Sequence, residues 1–471
     1  MKNLPVPRSP LSSGRRLGFH YYPDTLHYRD SDLSTWVPRL QSLGAAWLVL
    51  QSETGRAIPE SFVTGLLEAG IEPVIHFKRG IATTLDLREI RPLLEAYARW
   101  GARYVMYYDR PNARAAWGAR GWVQQDLVRN FLERFLPAAN LSVQQGLVAI
   151  FPPLEPGGSY WDTAFLRSVL QEMVNRKEDQ VLRSLALAAY AWTGGHSLNW
   201  GAGGPERWPQ SRPYHTPSDS QDQRGFRIFD WYQAVVQDVL QRTLPIFLLQ
   251  AGCSDDPEVQ TPTAASQDEE TYTQTSSAIA RLLAGEPLTA SSIGPEPQDL
   301  DLQPVPAQVA AGCFWLLSAS QGSASLSRAW FRPAPGQDGS PDVWSERPAC
   351  AALRALRLDR SRESAGQAKT MEVNVESNEG GSRPLRHYLL LPGHEWGVAD
   401  WYLEIARPFI KKHRPTIGFS VAEARLAARV TVVGQVPGFT REVLDDLQQA
   451  GCEIDWIEGD GTILATLLAE R

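Results

Sequence analysis

Several common functions are excluded by what this chain has little of. Its 471 residues contain four cysteines, Cys253, Cys313, Cys350 and Cys452. They are scattered, with no paired metal-ligand spacing, which argues against zinc and reads as buried or free thiols in a reducing compartment. No metal and no cofactor is expected. No apolar run is long enough to cross a bilayer, so membrane insertion is not expected. Positive charge is also short: the net charge is −7, the wrong balance for a partner with a phosphate backbone, so nucleic acid is not expected. No glycine-rich phosphate loop follows the first apolar segment, and no Gly-x-Ser-x-Gly elbow occurs, so neither a dinucleotide fold nor a serine hydrolase is supported. Residues 1–16, MKNLPVPRSPLSSGRR, carry positive charge but no apolar core, unlike a signal peptide. They read as a disordered lead-in. A cytoplasmic location is the expectation, with cell-surface association the alternative.

What is present is a regular alternation. Short apolar runs at Leu17–Tyr22, Ala46–Gln51, Glu72–Phe77, Arg103–Tyr108, Gly146–Phe151, Leu185–Tyr190, Pro245–Gln250 and Gly312–Leu317 read as eight strands. Stretches of helical periodicity separate them, the first with Asp32 as its expected cap and Gly44 as its stop. Near-continuous apolar strands suit a parallel sheet covered on both faces, and strict alternation with helices implies right-handed crossovers. A count of eight favours closure. The fold class expected is α/β, a (β/α)8 TIM barrel over residues 17–360 followed by a small α/β layer domain. The stretch 361–383 turns polar and aperiodic and reads as a linker. Residues 384–471 again alternate strand and helix, in a size range ordinary for a domain.

In such a barrel the chemistry sits where strands end. The fourth strand stops in the turn Asp109-Arg110-Pro111-Asn112 and the seventh in Leu249-Gln250-Ala251-Gly252. With the strand order, these turns resemble the clan of retaining glycoside hydrolases built on (β/α)8 barrels. The resemblance implies an Asn-Glu-Pro turn carrying the acid/base after strand four and a nucleophilic Glu ending strand seven, with the two carboxyl groups about 5 to 5.5 Å apart. Here Arg110 stands at the first position and Gln250 at the second. A guanidinium cannot exchange a proton at working pH, and an amide is a poor nucleophile.

The resemblance therefore implies a carbohydrate ligand and a pseudoenzyme: glycan recognition with the catalytic pair lost. Two alternatives stay open. One is an active O-glycosyl hydrolase with relocated carboxylates, for which Asp109 and Glu155 are the candidate catalytic pair. The other is a non-catalytic scaffold. Further acids at strand ends are Asp24, Glu53, Asp255 and Asp256.

Aromatic residues are plentiful. Of 16 tryptophans, 13 precede residue 350. Indoles stack on flat apolar faces, sugar rings included. Tyr160 and Trp161 follow strand five, and Tyr190, Trp192, Trp200 and Trp208 end or follow strand six. With Arg110, Asn112 and Gln250 they are the expected ligand-binding residues. The segment Arg429–Thr462 is similar to the cell-wall-binding repeats of bacterial surface proteins, which implies a possible wall or protein contact through the small domain.

Overall fold

The computed structural model describes residues 15–122, 126–252, 269–289, 302–334, 344–356, 385–392, 400–413, 415–418, 421–434, 441–459 and 461–470. Residues 1–14 of the lead-in, the linker 361–383, Cys253, Asp255 and Asp256 lie outside the described residues. The chain divides into two compact units, with the division inside the linker region.

The first unit is the barrel. Strands β1 (Leu17–His20), β2 (Trp47–Gln51), β3 (Glu72–Phe77), β4 (Tyr104–Tyr107), β5 (Val148–Phe151), β6 (Ala186–Tyr190), β7 (Ile246–Leu249) and β8 (Val309–Phe314) pair in sequence order and close on themselves. Every pairing is parallel, including the closing one, where Leu17 faces Gly312 and Phe19 faces Phe314. All strand carboxyl ends therefore emerge on one face.

Alternate residues divide between two cores. Leu48, Leu50, Ile75 and Val105 meet the helix layer, while Trp47, Val49, Val74 and Met106 fill the interior. Trp47, Tyr104 and Phe247, which stand at or near the starts of their strands, pack with ring centroids 5.2 to 5.5 Å apart and plug the lower end. Burying side chains of this size contributes roughly 2 kcal/mol each.

The main departure from the expected strands is the eighth. It begins at Val309 and ends at Phe314, so Trp315 and Leu316, read as strand, lie in the loop above it. The run Ala310-Ala311-Gly312 hides the strand because small residues have low strand propensity. Gly312 is required by close packing: a Cβ there would lie 2.7 Å from Leu283. Trp315 is joined to Leu316 by a cis peptide bond. A second departure is the first helix, Asp30–Leu43, which has Arg29 rather than Asp32 at its N-cap. Asp32 instead reaches back, its Oδ2 accepting the Arg29 backbone N–H at 2.8 Å. Arg15 and Arg16, placed in the lead-in, are tied to the barrel: Arg16 donates to the carbonyls of Val305 and Pro306 at 2.9 and 3.2 Å. A short antiparallel pair, β9 (Phe331–Pro333) with β10 (Trp344–Glu346), has no counterpart in the sequence reading.

The second unit is a four-stranded parallel sheet: β11 (Leu385–Leu390), β12 (Thr416–Gly418), β13 (Ala427–Val433) and β14 (Glu453–Ile457), ordered β12-β11-β13-β14. Tyr388, Leu390, Val430 and Val432 pack on one face. Leu389, Val433 and Ile457 pack on the other, against Phe409, Leu464 and Leu468 of the helices Asp400–His413 and Gly461–Glu470. This is the expected small α/β layer unit. Cys313, Cys350 and Cys452 are buried. Among the described residues, no helix is long and apolar enough to cross a membrane and no cluster of His, Cys, Asp and Glu could hold a metal ion.

Candidate functional site at the barrel mouth

The turn after β4 continues the pairing of its strand into the loops on either side. Tyr108 donates its backbone N–H to Phe77 at 3.1 Å, Asp109 to Arg79 at 2.9 Å and Arg110 to Pro153 at 3.0 Å. Tyr108 and Arg110 adopt left-handed backbone angles, φ 65° and 46°, a conformation that costs a side-chain-bearing residue about 1 kcal/mol or more. The neighbouring loops hold it. Asn112 is the main fastener. It is fully buried, its amide donates to the carbonyls of Glu155 and Tyr160 at 2.9 Å each, and its oxygen accepts the Glu155 N–H at 2.8 Å. Pro111 contributes its carbonyl, which accepts the Trp117 indole N–H at 2.7 Å.

Asp109 is 6 % exposed. Tyr190 donates its hydroxyl to Oδ1 at 2.6 Å, and Arg110 Nε donates to Oδ2 at 3.2 Å. Burial alone would raise its carboxyl, but Lys78, Arg110 and the Tyr190 bond outweigh that and hold it below its ordinary value. It is ionised at neutral pH. The other end of the Arg110 guanidinium, Nη1, lies 4.0 Å from Glu155 Oε2. One arginine thus spans both candidate catalytic carboxylates.

These groups line an open cavity of about 450 Å³, together with Gln51, Lys78, Arg79 and Trp315. Beneath it lies a recess of about 10 Å³, room for roughly one water molecule. Gln250, His20, His76 and Tyr190 surround this recess, and Gln51, Lys78 and Trp315 line both spaces. Asp109 and Arg110, after β4, thus line the cavity, and Gln250, after β7, lines the adjoining recess. Gln250 is left-handed at φ 49°. Its Oε1 accepts the Trp192 indole N–H at 2.8 Å, and its backbone N–H donates to His20 Nε2 at 3.3 Å. Burial pushes His76 down to about 4 and His20 well below its usual value, with Lys78 adding to both. Both rings are neutral at pH 7, and His76 donates its Nε2–H to the Tyr108 carbonyl at 2.8 Å.

The expected aromatic residues are distributed unevenly. Tyr190 lies at the recess, and Trp192 stacks on it at 4.6 Å. The others are occupied within the loops. Tyr160 packs edge-on to Phe165 at 5.3 Å. Trp161 packs against Tyr214 at 5.4 Å, below the Arg224 guanidinium. Trp200 stacks on His196 at 3.9 Å and donates to Asp222 at 3.3 Å. Trp208 donates to the Ala202 carbonyl at 3.1 Å. None of these four lines the cavity. Asp24 is held by His27 and Ser320 at 2.7 and 3.0 Å, and Glu53 accepts from Thr25.

Lys78, Arg79, Gln51 and Trp315 are mouth residues that were not foreseen. Lys78 and Arg79 directly follow the apolar run of β3, a signal the sequence did contain. Trp315 was hidden inside the misplaced eighth strand. Its ring lies 5.9 Å from Lys78 Nζ.

The loops after β5 and β6 are joined by Asp162, fully buried, which accepts from the Gly157 N–H at 3.0 Å, Gln223 at 2.6 Å and the Tyr232 hydroxyl at 2.9 Å. Burial outweighs these bonds and pushes its carboxyl up to about 6, from an ordinary 3.8. A raised acid is most favourable to the fold below about pH 3.8, and this contribution disappears as pH rises through about 6. Asp162→Asn keeps an acceptor for Gly157 and Gln223 and removes the buried charge. At pH 7.5 it should stabilise the chain by about 1 to 2 kcal/mol. The gain over the parent should shrink as pH falls from 6 to 4, measured by urea unfolding of both proteins across that range. A pH-independent difference would show that this carboxyl titrates normally.

No family model matches the chain, and no curated protein matches it. Among solved structures it is similar to a GH128 (subgroup II) endo-beta-1,3-glucanase from Sorangium cellulosum, at 13 % identity over 72 % of this chain and 97 % of that one, with a TM-score of 0.35. It is also similar to a family 51 alpha-L-arabinofuranosidase from Bifidobacterium longum, at 10 % identity, 73 % of each chain and a TM-score of 0.40. A fructose-bisphosphate aldolase from Plasmodium falciparum scores comparably, at 14 % identity, 71 % of this chain, 81 % of that one and a TM-score of 0.33. Glycoside hydrolases and an aldolase stand level, so these likenesses do not discriminate among chemistries. The barrel itself rests on the strand pairing described above.

Proposed function

We propose that the barrel mouth recognises a glycan and does not cleave it. The observation that carries this reading is the position of Arg110, bridging Asp109 and Glu155, the two carboxylates of the cavity. Retaining hydrolysis needs one carboxyl able to lend a proton and another free to attack. Asp109 is held ionised by Tyr190, Lys78 and Arg110, which suits a structural anion and not a proton donor. At β7 the neutral Gln250 amide is bonded to Trp192. The mouth still offers what sugar hydroxyls require: guanidinium and ammonium donors, carboxylate acceptors and an indole, within a volume typical of small-ligand sites.

A panel of polysaccharides tests the reading. The expected result is binding by one or more of them with no release of reducing ends. Release that disappears in both Asp109→Asn and Glu155→Gln would instead establish hydrolysis by relocated carboxylates. Neither binding nor release would leave the barrel as a scaffold.

A further inference from the structure

Closure of the barrel brings a second group of reactive side chains together on the same face. Asp24 and His27 stand in the loop after β1, and Ser320 stands in the loop after β8. Because β1 pairs with β8, residues 293 and 296 positions apart in the chain become neighbours. His27 Nδ1 lies 2.7 Å from Asp24 Oδ1. A carboxylate oxygen accepts, so Nδ1 carries the proton of the neutral ring and Nε2 keeps its lone pair. That Nε2 lies 3.5 Å from Ser320 Oγ, which donates to Asp24 Oδ2 at 3.0 Å. A hydroxyl hydrogen turns about its C–O bond, so the same oxygen can address either acceptor.

The imidazole is fixed from two sides. The Leu26 N–H donates to Asp24 Oδ1 at 3.0 Å, and the His27 ring stacks on Tyr22 at 3.8 Å with 17° between the planes. The group is nevertheless open to solvent: the side chains of His27 and Asp24 are 26 % and 28 % exposed. Pro23, next to Asp24, and Ser325, in the Ser320 loop, line the mouth cavity. Ser320 also opens a turn, in which its carbonyl accepts the Ser323 N–H at 3.0 Å and Gly322 has φ 85°. No elbow motif marks these residues in the sequence. Nucleophile, base and orienting carboxylate are recognised by geometry and role, and they recur on unrelated folds in different chain orders.

We propose that Ser320, His27 and Asp24 form an acyl-transfer site that hydrolyses short-chain esters. Ser320 Oγ bonds to the acyl carbon while its proton passes to His27 Nε2. The carbonyl electron pair moves onto oxygen, for which the backbone N–H of Gln321, the residue after the nucleophile, is the donor. The bond to the alcohol then breaks, and His27 returns the proton to the leaving oxygen. Water, activated by the same imidazole, splits the acyl–Ser320 bond, releases the acid and restores the hydroxyl. Asp24 touches no reacting atom and is a positioning residue. The 3.5 Å separation of base and nucleophile is of the kind that tightens when substrate binds. An ester is the class that fits, because an alkoxide leaves more readily than an amide nitrogen and an open rim suits a small acyl group. Ester hydrolysis here does not depend on a glycan in the cavity.

The test uses the full chain, with p-nitrophenyl acetate as substrate and diisopropyl fluorophosphate as a serine label. The expected result is saturable turnover, and a label that peptide mass places on Ser320. Ser320→Ala and His27→Gln should each lower kcat/KM by about 100-fold or more and abolish labelling, as loss of a nucleophile or general base does. Asp24→Asn keeps an acceptor for Leu26 but favours the wrong imidazole tautomer. It should lower kcat about tenfold or more with KM within about twofold, a split that a merely structural role would not give. Urea unfolding of each variant separates loss of the site from loss of the fold, and labelling of the unaltered chain needs no variant. Turnover that survives Ser320→Ala, a label on another residue, or neither turnover nor label in the folded parent would each overturn the site. Labelling that persists in His27→Gln would overturn the base, and an unchanged kcat in Asp24→Asn would overturn the positioning role.

Discussion

Asn112→Ala should destabilise the barrel by about 3 to 5 kcal/mol, because it removes three hydrogen bonds between a buried side chain and the backbone of the neighbouring loop. Three groups lose their side-chain partner at once: the Glu155 N–H, which donated to the Asn112 oxygen, and the Glu155 and Tyr160 carbonyls, which accepted from its amide. The site is closed to repair. Asn112 is 0 % exposed, and Gly158 packs so tightly that a Cβ there would lie 2.6 Å from the Asn112 amide nitrogen. Truncation therefore opens a polar void at these groups, of which the Glu155 carbonyl keeps the Gly158 N–H at 3.0 Å. Urea unfolding at neutral pH is the measurement. A loss below about 1 kcal/mol would mean that water enters and replaces the amide, as ordered water does in other buried polar sites. Because the same side chain fixes the turn that presents Arg110, the variant should also lose ligand affinity.

Asp109→Ala should cost a similar amount, about 3 to 5 kcal/mol, as when one member of a buried ion pair is removed and the other is left behind. Arg110 keeps its backbone position but loses the acceptor for Nε at 3.2 Å, and the Tyr190 hydroxyl loses the acceptor it holds at 2.6 Å. The pH dependence runs opposite to that of Asp162. The Asp109 carboxyl is lowered in the folded protein from an ordinary 3.8. Its contribution is therefore fully present above about pH 3.8 and is lost as pH falls through the lower folded value. Stability of parent and variant, measured from pH 7 down to the acid limit of the fold, should differ by a constant amount until about pH 4 and then converge. Convergence beginning near pH 6 would show that the surrounding cations do not hold this carboxyl down.

Much of the barrel was legible because its strands are short, apolar on both faces and separated by helical periodicity. The start of the eighth strand was not, since Ala310 and Ala311 are weak strand formers and Gly312 is imposed by the closeness of Leu283, a contact that no local pattern encodes. That error concealed Trp315 as a mouth residue. Arg110 and Gln250 could be placed because each directly follows a recognisable strand. Lys78 and Arg79 follow β3 in the same way, but reading the turns through known catalytic positions drew attention away from them. Loop tryptophans were the least informative. Trp161, Trp200 and Trp208 are used by the loops themselves, through Tyr214, His196 and the Ala202 carbonyl. An indole that stacks on a neighbour and one that waits for a ligand are spelled alike.

The meeting of the first and last strands has a consequence for reactivity. Gly18 lies against Cys313 there, so close that a Cβ would stand 2.8 Å from the sulfur. Burial raises that thiol to about 12, which makes it inert to alkylation while the ring is whole. The sulfur reaches a reagent when the barrel wall around β8, paired with β1 on one side and β7 on the other, comes apart, so the labelling rate at this one position reports how often the cylinder opens there. The cysteine beside Gly18 is in effect a tamper seal on the barrel's closure.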